Sequence, residues 1–441
     1  MKILIAFVVI IAAIVVNFTF LAKRNPIPEH LMGYTLVDKQ NFLSDSLVER
    51  LLDSTRKSSP IFSTIKEPAV FKTVHDNIGE AVPANLSNSG TAKCPHKLLT
   101  LDNTGKRCIF PGRIDVGKHY LMTGGPEARK ENVELLTSRV QPFLHYILDY
   151  KTNPLTKEML ESPDMVKFAE NICPKDKPFL DPFQFNYVLQ LPGQTVATHV
   201  DAVYFRRASR FHMPQWLLAV MHFSGLFREE FVDQVQIVAY YHRWTDERAG
   251  KFLFWNDPVT REPELFSPIS KSANSVDGSK VIHAADVYMP WRQPPILPRG
   301  NRNTAEYRKG DKKKGEEEHM WEVKSDGELL QTYNESELRF SAVYRCRCFK
   351  DKADKDKFDE EQKLEYAWTI DYVLGILRKD LAKRGIVAED KKLSEFELLE
   401  ILLSTYVKYP LSPTATIPYN LCAIGEVDAL SFLKPVLKMV C

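Results

Sequence analysis

Three side chains that commonly bind metals lie in two segments with a strand pattern. His199 and Asp201 belong to segment 196–205, and because side chains alternate across a strand, residues i and i+2 share a face. His283 lies in a later apolar segment, after the turn-forming pair Asp277-Gly278. Two imidazoles and one carboxylate, with positions left open, form a ligand set typical of non-haem Fe(II). The spacing therefore predicts a metal site at His199, Asp201 and His283.

A late strand segment, 338–349, carries groups suited to binding an anion. Arg339 and Ser341 share one face of this predicted strand. A guanidinium group can hold a carboxylate through two parallel hydrogen bonds, and a nearby hydroxyl group can add a third donor. Arg292, nine residues after His283, competes for this role, and Arg345 on the same predicted strand is a further alternative.

In this order, the motifs resemble those of the Fe(II)- and 2-oxoglutarate-dependent dioxygenases. The family pattern is H-x-D on an early strand, a second His on the penultimate strand and a basic residue, often R-x-S, on the last strand. The chain offers His199-Val-Asp201, His283 and Arg339-Phe-Ser341, with the family-like strand Gly250-Lys-Phe-Leu-Phe-Trp255 between them. The resemblance covers about 170 of 441 residues.

The resemblance implies a specific set of cofactors and a reaction. Fe(II) would be bound by the two histidines and the aspartate, with His242 as an outside ligand candidate. 2-Oxoglutarate would chelate the metal, with Arg339 and Ser341 holding its far carboxylate and Tyr187 adding a contact, and ascorbate would be a possible further reductant. The implied reaction hydroxylates a C–H bond and releases succinate and CO2. One departure is the gap of 56 positions from His283 to Arg339, since about ten is usual in the family.

The hydrophobic pattern predicts the elements that position these residues. Strands are expected over 182–191, 196–205, 235–244, 251–255, 280–288 and 338–349, and helices over 42–56, 129–170, 213–227, 357–384 and 393–407, with a last short helix ending at Cys441. Few helices interrupt the strands, which favours a β-sandwich or small barrel. The charged stretch 299–319 is expected to be a solvated insertion between two strands.

The predicted fold is α+β, with a double-stranded β-helix core of the jelly-roll or cupin type, flanking helices and one N-terminal transmembrane helix. We predict a membrane anchor at 1–24, a stem and extension at 25–128, an oxygenase domain at 129–349 and a helical region at 350–441. The core of the oxygenase domain is expected at 182–349, with the charged insertion at 292–335.

The N-terminal segment is apolar for about twenty residues, roughly the length that one helix needs to cross a bilayer. A cleaved signal peptide is the alternative. Lys23 and Arg24 favour a cytosolic body, whereas sequons at Asn85 and Asn334 and seven cysteines favour a luminal body in the endoplasmic reticulum or Golgi, with a secreted form also open. In a luminal body we expect a Cys94–Cys108 disulfide. Cys346 and Cys348 are poorly placed to bond each other.

Composition excludes several classes of protein. The chain has 59 Lys+Arg, 57 Asp+Glu and 44% hydrophobic residues, as in ordinary folded proteins, so disordered and collagen-like chains are excluded. A net charge of +2 argues against nucleic acid as a partner. The substrate stays open among a protein side chain, a lipid and a small molecule. Two rival functions are a membrane-anchored glycosyltransferase, for which no convincing D-x-D motif is found, and a non-catalytic β-barrel binding protein.

Overall fold

The computed structural model describes residues 27–63, 82–86, 92–95, 98–101, 106–147, 153–298, 301–411, 432–433 and 436. The predicted anchor and the predicted helix ending at Cys441 lie outside these residues. Within the described ranges, no helix is both long and apolar enough to span a bilayer.

The described helices flank a strand-rich centre. They are α1 (Asp45–Lys57), α2 (Ile114–Thr123), α3 (Val133–Arg139), α4 (Pro154–Glu161), α5 (Pro163–Glu170), α6 (Gln215–Ser224), α7 (Lys352–Glu361), α8 (Ile370–Lys383) and α9 (Glu395–Tyr406). The first strands are β1 (Leu36–Lys39), β2 (Ile61–Phe62), β3 (Val82–Pro83), β4 (Asn85–Leu86), β5 (Ala92–Lys93), β6 (Thr100–Leu101), β7 (Arg107–Ile109) and β8 (Phe143–Ile147). The central strands are β9 (Phe179–Gln190), β10 (Val196–His199), β11 (Gln234–Tyr240), β12 (Phe252–Trp255), β13 (Glu264–Phe266), β14 (Ala273–Val276) and β15 (Ile282–Ala285). The last strands are β16 (Asn303–Lys309), β17 (His319–Ser325), β18 (Glu328–Asn334) and β19 (Arg339–Phe349).

Two antiparallel sheets dominate the structure. The larger has ten strands in the order β1-β14-β11-β19-β9-β8-β2-β16-β17-β18, and the smaller has four in the order β10-β15-β12-β13. From β9 onward the chain passes repeatedly between the two sheets: β9, β11, β14 and β19 belong to the larger, while β10, β12, β13 and β15 belong to the smaller. The chain is therefore a mixed α and β protein with a jelly-roll-like centre.

Alternation along the strands gives the larger sheet two different faces. On one face, Phe185 of β9, Ile237 of β11 and Phe340 of β19 pack in an apolar core. The helices α1, α4 and α5 cover this core, and α1 contributes Leu51 and Leu52 from its apolar stripe. The opposite face of the sheet is free to contact the smaller sheet.

A second core covers the outer face of the smaller sheet. Leu253 of β12 and Ile282 of β15 pack there with Trp216 of α6 and with α8 and α9. A third, smaller cluster lies between the two sheets and joins Tyr240 of β11 to Phe252 of β12. The helices thus cover the outer faces of the two sheets, whereas the inner faces of the sheets point toward each other.

The structure corrects two of the predicted elements. Segment 143–147, predicted as part of a helix, is the strand β8, which pairs with β9. The segment between β15 and β19, predicted as a solvated insertion, contains the strands β16, β17 and β18, which extend the larger sheet. Trp321 and Val323 of β17 are buried in the core. Strand pairing with β2 and these few apolar residues outweigh the high charge of the segment.

Two disulfides are present in the described residues. Cys94 bonds Cys108, as predicted. Cys173 bonds Cys348, a pairing that the sequence did not indicate because the two residues are 175 positions apart. Cys346 is a buried free thiol and is not bonded to Cys348, as expected for neighbours on one strand.

Candidate metal centre

His199, Asp201 and His283 converge at one point between the two sheets. One ligand atom from each of the three side chains can be chosen so that all lie within 4.8 Å of one another. Nε2 of His199 is 3.6 Å from Oδ1 of Asp201, and the ring centres of the two histidines are 4.3 Å apart. This geometry suits two imidazole nitrogens and one carboxylate oxygen binding a single ion.

The local backbone explains how the three residues meet. His199 ends β10 and lies directly opposite His283 of β15 in the strand pairing, so the two rings project from the same face. Asp201 lies two residues beyond the end of β10, so strand alternation does not determine the direction of its side chain. Its backbone N–H donates to the carbonyl group of Gly278 at 2.8 Å, which holds the loop against the turn before β15.

Both imidazole rings are held in a similar way. Nδ1 of His199 is 2.7 Å from the carbonyl oxygen of Ala197, and Nδ1 of His283 is 2.9 Å from that of Val281. A backbone carbonyl only accepts, so Nδ1 carries the hydrogen and donates it in each ring. Nε2 is then left with its lone pair, which is the form of histidine that binds a metal.

The surroundings of Asp201 also fit a cation. Its Oδ2 atom is buried and has no hydrogen-bond partner within the described residues. A Cβ atom added to Gly278 would lie 2.4 Å from this oxygen and 3.2 Å from Cε1 of His283. A glycine at this position therefore preserves space beside two of the three ligands, and an unpaired carboxylate oxygen in such a space suits a divalent cation.

Electrostatics keep His283 and Asp201 in the protonation states that metals require. Burial, followed by the nearby His199, lowers the pKa of His283 to about 4, so its imidazole is neutral at pH 7. Burial opposes ionisation of Asp201, but the charge of Arg345 and contacts with the two histidines lower the pKa of its carboxyl group below the usual value. The site therefore presents an ionised carboxylate beside a neutral histidine.

Arg345 extends from the larger sheet to the metal centre. Its Nε atom is 3.6 Å from Oδ2 of Asp201, and its Nη2 atom donates to the carbonyl oxygen of Ala202 and to Oε1 of Gln234. The side chain is nearly fully buried. Arg345 is thus a neighbour of the ligand set, at a distance along β19 from Arg339.

Arg339 occupies a separate buried position between the sheets. Its guanidinium donates to the carbonyl group of Gly250 at 2.7 Å and to the hydroxyl group of Tyr240 at 3.2 Å. Nε of Arg339 and Nε2 of Gln190 are both buried without a hydrogen-bond partner in the described residues. These two residues are direct partners in the β9–β19 pairing. Two unpaired donors on adjacent strands fit an anionic guest such as a carboxylate.

Phe252 links this anion position to the metal ligands. The guanidinium carbon of Arg339 lies 5.9 Å from the centre of the Phe252 ring, and that ring lies 6.3 Å from the His283 ring. Ser341 is buried on the same face of β19, between Arg339 and Arg345. A small dianion could therefore extend from the metal ligands toward Arg339.

Three other residues considered from the sequence lie elsewhere. In the β9–β19 pairing, Val188 lies opposite Ser341, so the next residue, Tyr187, points to the other face of β9. There its hydroxyl group donates to Oγ of Ser54 at 3.0 Å. Arg292 forms an ion pair with Glu337 at 3.0 Å. We therefore leave Tyr187 and Arg292 out of the site.

His242 is likewise separate from the metal ligands. Its two ring nitrogens lie near the carbonyl oxygens of Phe340 and Pro268, at 3.3 and 2.9 Å, and its ring stacks on Trp244. Burial, reinforced by the charge of Arg339, lowers the pKa of His242 to about 3. It is a neutral packing residue beside Arg339.

Sequence reasoning missed three residues of the site. Gln190 and Gln236 belong to the larger sheet and look like ordinary polar strand residues, so nothing in the sequence marks them. Nε2 of Gln236 is 3.4 Å from Nε2 of His283. Gly278 was noted only as a turn residue, and its role in leaving space for Asp201 emerges from the geometry.

Comparisons with known proteins give a consistent class of neighbours but little similarity. No protein-family model matches the chain, and no curated protein matches it. Among solved structures, a Pseudomonas putida prolyl-4-hydroxylase matches at 11% identity, with 71% of this chain and 93% of the other covered and a TM-score of 0.29.

Two further solved structures are similar to the same degree. A Trichoplax adhaerens prolyl hydroxylase, solved with a hypoxia-inducible-factor peptide, matches at 7% identity over 74% of this chain and 87% of the other, with a TM-score of 0.31. HygX from Streptomyces hygroscopicus was solved with nickel, 2-oxoglutarate and hygromycin B. It matches at 6% identity over 71% of this chain and 83% of its own chain, with a TM-score of 0.30.

Proposed function

We propose that the chain is an Fe(II)- and 2-oxoglutarate-dependent dioxygenase that hydroxylates a C–H bond and releases succinate and CO2. The observation that carries this proposal is the convergence of His199, Asp201 and His283 between two sheets that also enclose Arg339. The passage of strands β9 to β19 between a larger and a smaller sheet supports a double-stranded β-helix as the scaffold.

Each residue has a distinct part in this proposal. Nε2 of His199, Nε2 of His283 and a carboxylate oxygen of Asp201 would bind the metal, leaving positions open for the 2-oxo acid and for dioxygen. Arg339 and Gln190 would bind the far carboxylate of 2-oxoglutarate, with Ser341 beside them. Arg345 would keep Asp201 ionised and oriented.

The protein itself supplies positioning and shielding. The bound metal and 2-oxoglutarate would supply the activation of dioxygen. The carbonyl groups of Ala197 and Val281 hold the rings at a fixed tautomer, so Nε2 of each ring is available to the ion without a change of tautomer. The apolar cluster that joins Tyr240 to Phe252 lines part of the space between the sheets and would shield bound groups from water.

The test measures metal content and 2-oxoglutarate turnover on the purified full chain. We expect about one Fe(II) per chain, and succinate formation from 2-oxoglutarate when a suitable substrate is supplied. His199→Ala should lose both, and wild-type protein with no bound Fe(II) would contradict the proposal. Protein that binds Fe(II) but never forms succinate with any candidate substrate would point instead to a non-catalytic binding protein.

We also propose that the folded body lies in an oxidising compartment, behind an N-terminal membrane anchor. The support is chemical, since two disulfides in one chain are rare in the reducing cytosol. Mass spectrometry of the protein from its native cell, alkylated before reduction, should find both Cys94–Cys108 and Cys173–Cys348. Free thiols at all four positions would contradict this location.

A further inference from the structure

The peptide group that joins Val200 to Asp201 is hydrogen-bonded at both of its edges. Its N–H group, which belongs to Asp201, donates to the carbonyl oxygen of Gly278 at 2.8 Å. Its carbonyl oxygen, which belongs to Val200, accepts from Nη1 of Arg113 at 2.9 Å. Because a peptide group is planar, these two bonds together fix its orientation. The side chain of Asp201 leaves the backbone next to this plane, so its direction depends on both contacts.

Arg113 comes directly before α2, 87 positions ahead of Val200. Its guanidinium group holds the carboxylate of Asp115 through two hydrogen bonds, from Nε at 3.2 Å and from Nη2 at 3.0 Å. The donor directions of a guanidinium group are fixed by its planar shape. The pairing with Asp115 therefore sets the direction of the third nitrogen, Nη1, which donates to Val200.

Tyr409, which follows α9, completes this network from the C-terminal part of the chain. Its hydroxyl group donates to Oδ2 of Asp115 at 2.7 Å and accepts from Nη2 of Arg113 at 3.3 Å. Asp115 and Tyr409 are both buried. Among the described residues, every buried polar atom of these three side chains has a hydrogen-bond partner. The network is therefore complete before any ligand binds, and it holds the Val200 carbonyl group in the free protein.

The side chain of Val200 attaches the same segment to the helices. It packs in the second core, on the outer face of the smaller sheet, together with Ile114 of α2 and Tyr409. His199 and Asp201, on either side of it in sequence, reach the proposed metal centre between the sheets. Two of the three proposed ligands are thus held from the outer face of the sheet through the residue between them.

We propose that Arg113, held in place by Asp115 and Tyr409, is a positioning residue for the metal centre, which directs the carboxylate of Asp201 through the Val200 carbonyl group. This inference rests on the proposed function, since it takes Asp201 to be a metal ligand. Partners outside the ligand set commonly orient the ligands of a metal site. A role in packing alone would change the stability of the protein, whereas a positioning role changes the affinity and geometry of the metal in folded protein.

The experiment titrates Co(II) into the purified, metal-free full chain and records its visible absorption, which depends on the geometry of the ligands. Co(II) suits the same nitrogen and oxygen ligands as Fe(II). Arg113→Lys keeps the positive charge but lacks the fork that binds Asp115 and Val200 together. We expect this variant to bind Co(II) roughly tenfold to a hundredfold more weakly, with a changed spectrum.

A second variant, Tyr409→Phe, removes only the hydroxyl group that holds Asp115. Its Co(II) affinity should fall by a smaller factor, roughly twofold to tenfold, as for the loss of one hydrogen bond. Because Tyr409 acts through Arg113, the double variant should lose little more affinity than Arg113→Lys alone. Two independent effects would instead add in the double variant.

Lys118→Gln is the matched control for packing. Lys118 also lies on α2, and its ammonium group forms an ion pair with Glu400 of α9 at 2.8 Å. Its loss therefore disturbs the contact between these two helices and leaves the bond to Val200 in place. We expect Lys118→Gln to bind Co(II) with the affinity and spectrum of wild type, while thermal unfolding followed by circular dichroism reports any loss of stability.

The outcomes separate this inference from the proposed function. The inference is overturned if folded Arg113→Lys has the Co(II) affinity and spectrum of wild type, or if Lys118→Gln loses as much affinity. If Arg113→Lys does not fold, unchanged affinity and spectrum in Tyr409→Phe overturn it. Co(II) binding that depends on Arg113, in protein that forms no succinate with any candidate substrate, would defeat the proposed function and leave the positioning role standing. Wild type that binds neither Co(II) nor Fe(II) would defeat both.

Discussion

The two sheets contribute different chemistry to the space between them. The smaller sheet and its adjoining loop provide the three proposed metal ligands, which are oriented by short contacts to backbone carbonyl and N–H groups. The larger sheet provides Arg339, Arg345 and Gln190, each of which retains a buried N–H group that makes no hydrogen bond within the part of the chain that the structure describes. The smaller sheet thus holds its side chains in place before any ligand binds, whereas the larger sheet would complete its hydrogen bonds only when an anion binds.

This contrast predicts that the two halves of the site can be disabled separately. Metal affinity should depend on the smaller sheet, because its ligands are oriented without help from a guest. Affinity for anionic molecules should depend on the larger sheet, because Arg339 and Gln190 each keep a buried N–H group that has no hydrogen-bond partner among the described residues. Six substitutions, in four groups, test this division.

The largest effect is expected from the metal ligands. His199→Ala, Asp201→Ala and His283→Ala should each abolish Fe(II) binding, because an ion held by three protein ligands rarely survives the loss of one. Metal analysis after dialysis measures this, with circular dichroism to show that the fold persists. His212→Ala, a histidine away from the ligands, is the control. Wild-type metal content in all three variants would place the metal elsewhere.

The next effect concerns the larger sheet. Arg339→Gln should weaken 2-oxoglutarate binding by roughly tenfold to a hundredfold, the range for losing a charged hydrogen-bond pair. Its Fe(II) affinity should stay close to that of wild type. Titration of 2-oxoglutarate into the Fe(II)-loaded protein under nitrogen measures the first affinity, and titration of Fe(II) into the metal-free protein measures the second. Arg292→Gln is the matched control, and a larger loss in that variant would transfer the carboxylate role to Arg292.

A smaller effect is expected from the turn that borders the ligands. Gly278→Ala places a Cβ atom 2.4 Å from Oδ2 of Asp201. Gly278 is not among the glycines with positive φ, so alanine suits the backbone and the cost falls on the site. Fe(II) affinity should drop on the order of tenfold, as for other disturbances around metal ligands. Gly117→Ala, with nothing within 4 Å of the added atom, should leave it unchanged.

The smallest effect on the site is expected from a substitution on the face of β19 that points away from the proposed metal ligands. Cys346 follows Arg345 directly but points into the apolar core. Cys346→Ala should lower the free energy of unfolding by about 1 kcal/mol, as for removing a small buried group, and should not change metal binding. Burial raises the pKa of the Cys346 thiol to about 12, so iodoacetamide should not label it in the folded protein at pH 8. Rapid labelling would show that this face of the strand is open.

Much of the site was predictable because its signals are local. The spacing His199-Val-Asp201 and the apolar segment around His283 place three ligand types on strands or next to them, and strand alternation does the rest. Even so, Asp201 reaches the site through a hydrogen bond to Gly278 rather than through the strand geometry that the pattern suggested. Tyr187, which the family resemblance suggested as a contact for 2-oxoglutarate, lies on the opposite face of β9, since its neighbour Val188 is the residue opposite Ser341.

The remaining errors come from contacts that are distant in sequence. The segment β8 has apolar residues at helical spacing, but pairing with β9 makes it a strand. The charged segment around β16 is extended because β2, far earlier in the chain, pairs with it. The high charge of this segment predicted its solvent-facing side chains correctly, but it gave no sign that Trp321 is buried in the core. Tertiary partners of this kind cannot be found in a local pattern.

The Cys173–Cys348 disulfide makes the proposed catalytic region a covalent ring. The bond joins residues 175 positions apart, and the ring includes His199, Asp201, His283, Arg339 and Arg345. A protease that cuts once inside this ring opens it without releasing a fragment. Nicked protein should therefore migrate as one species on a non-reducing gel and as two under reduction, and any such nick would leave both halves of the site tethered to each other.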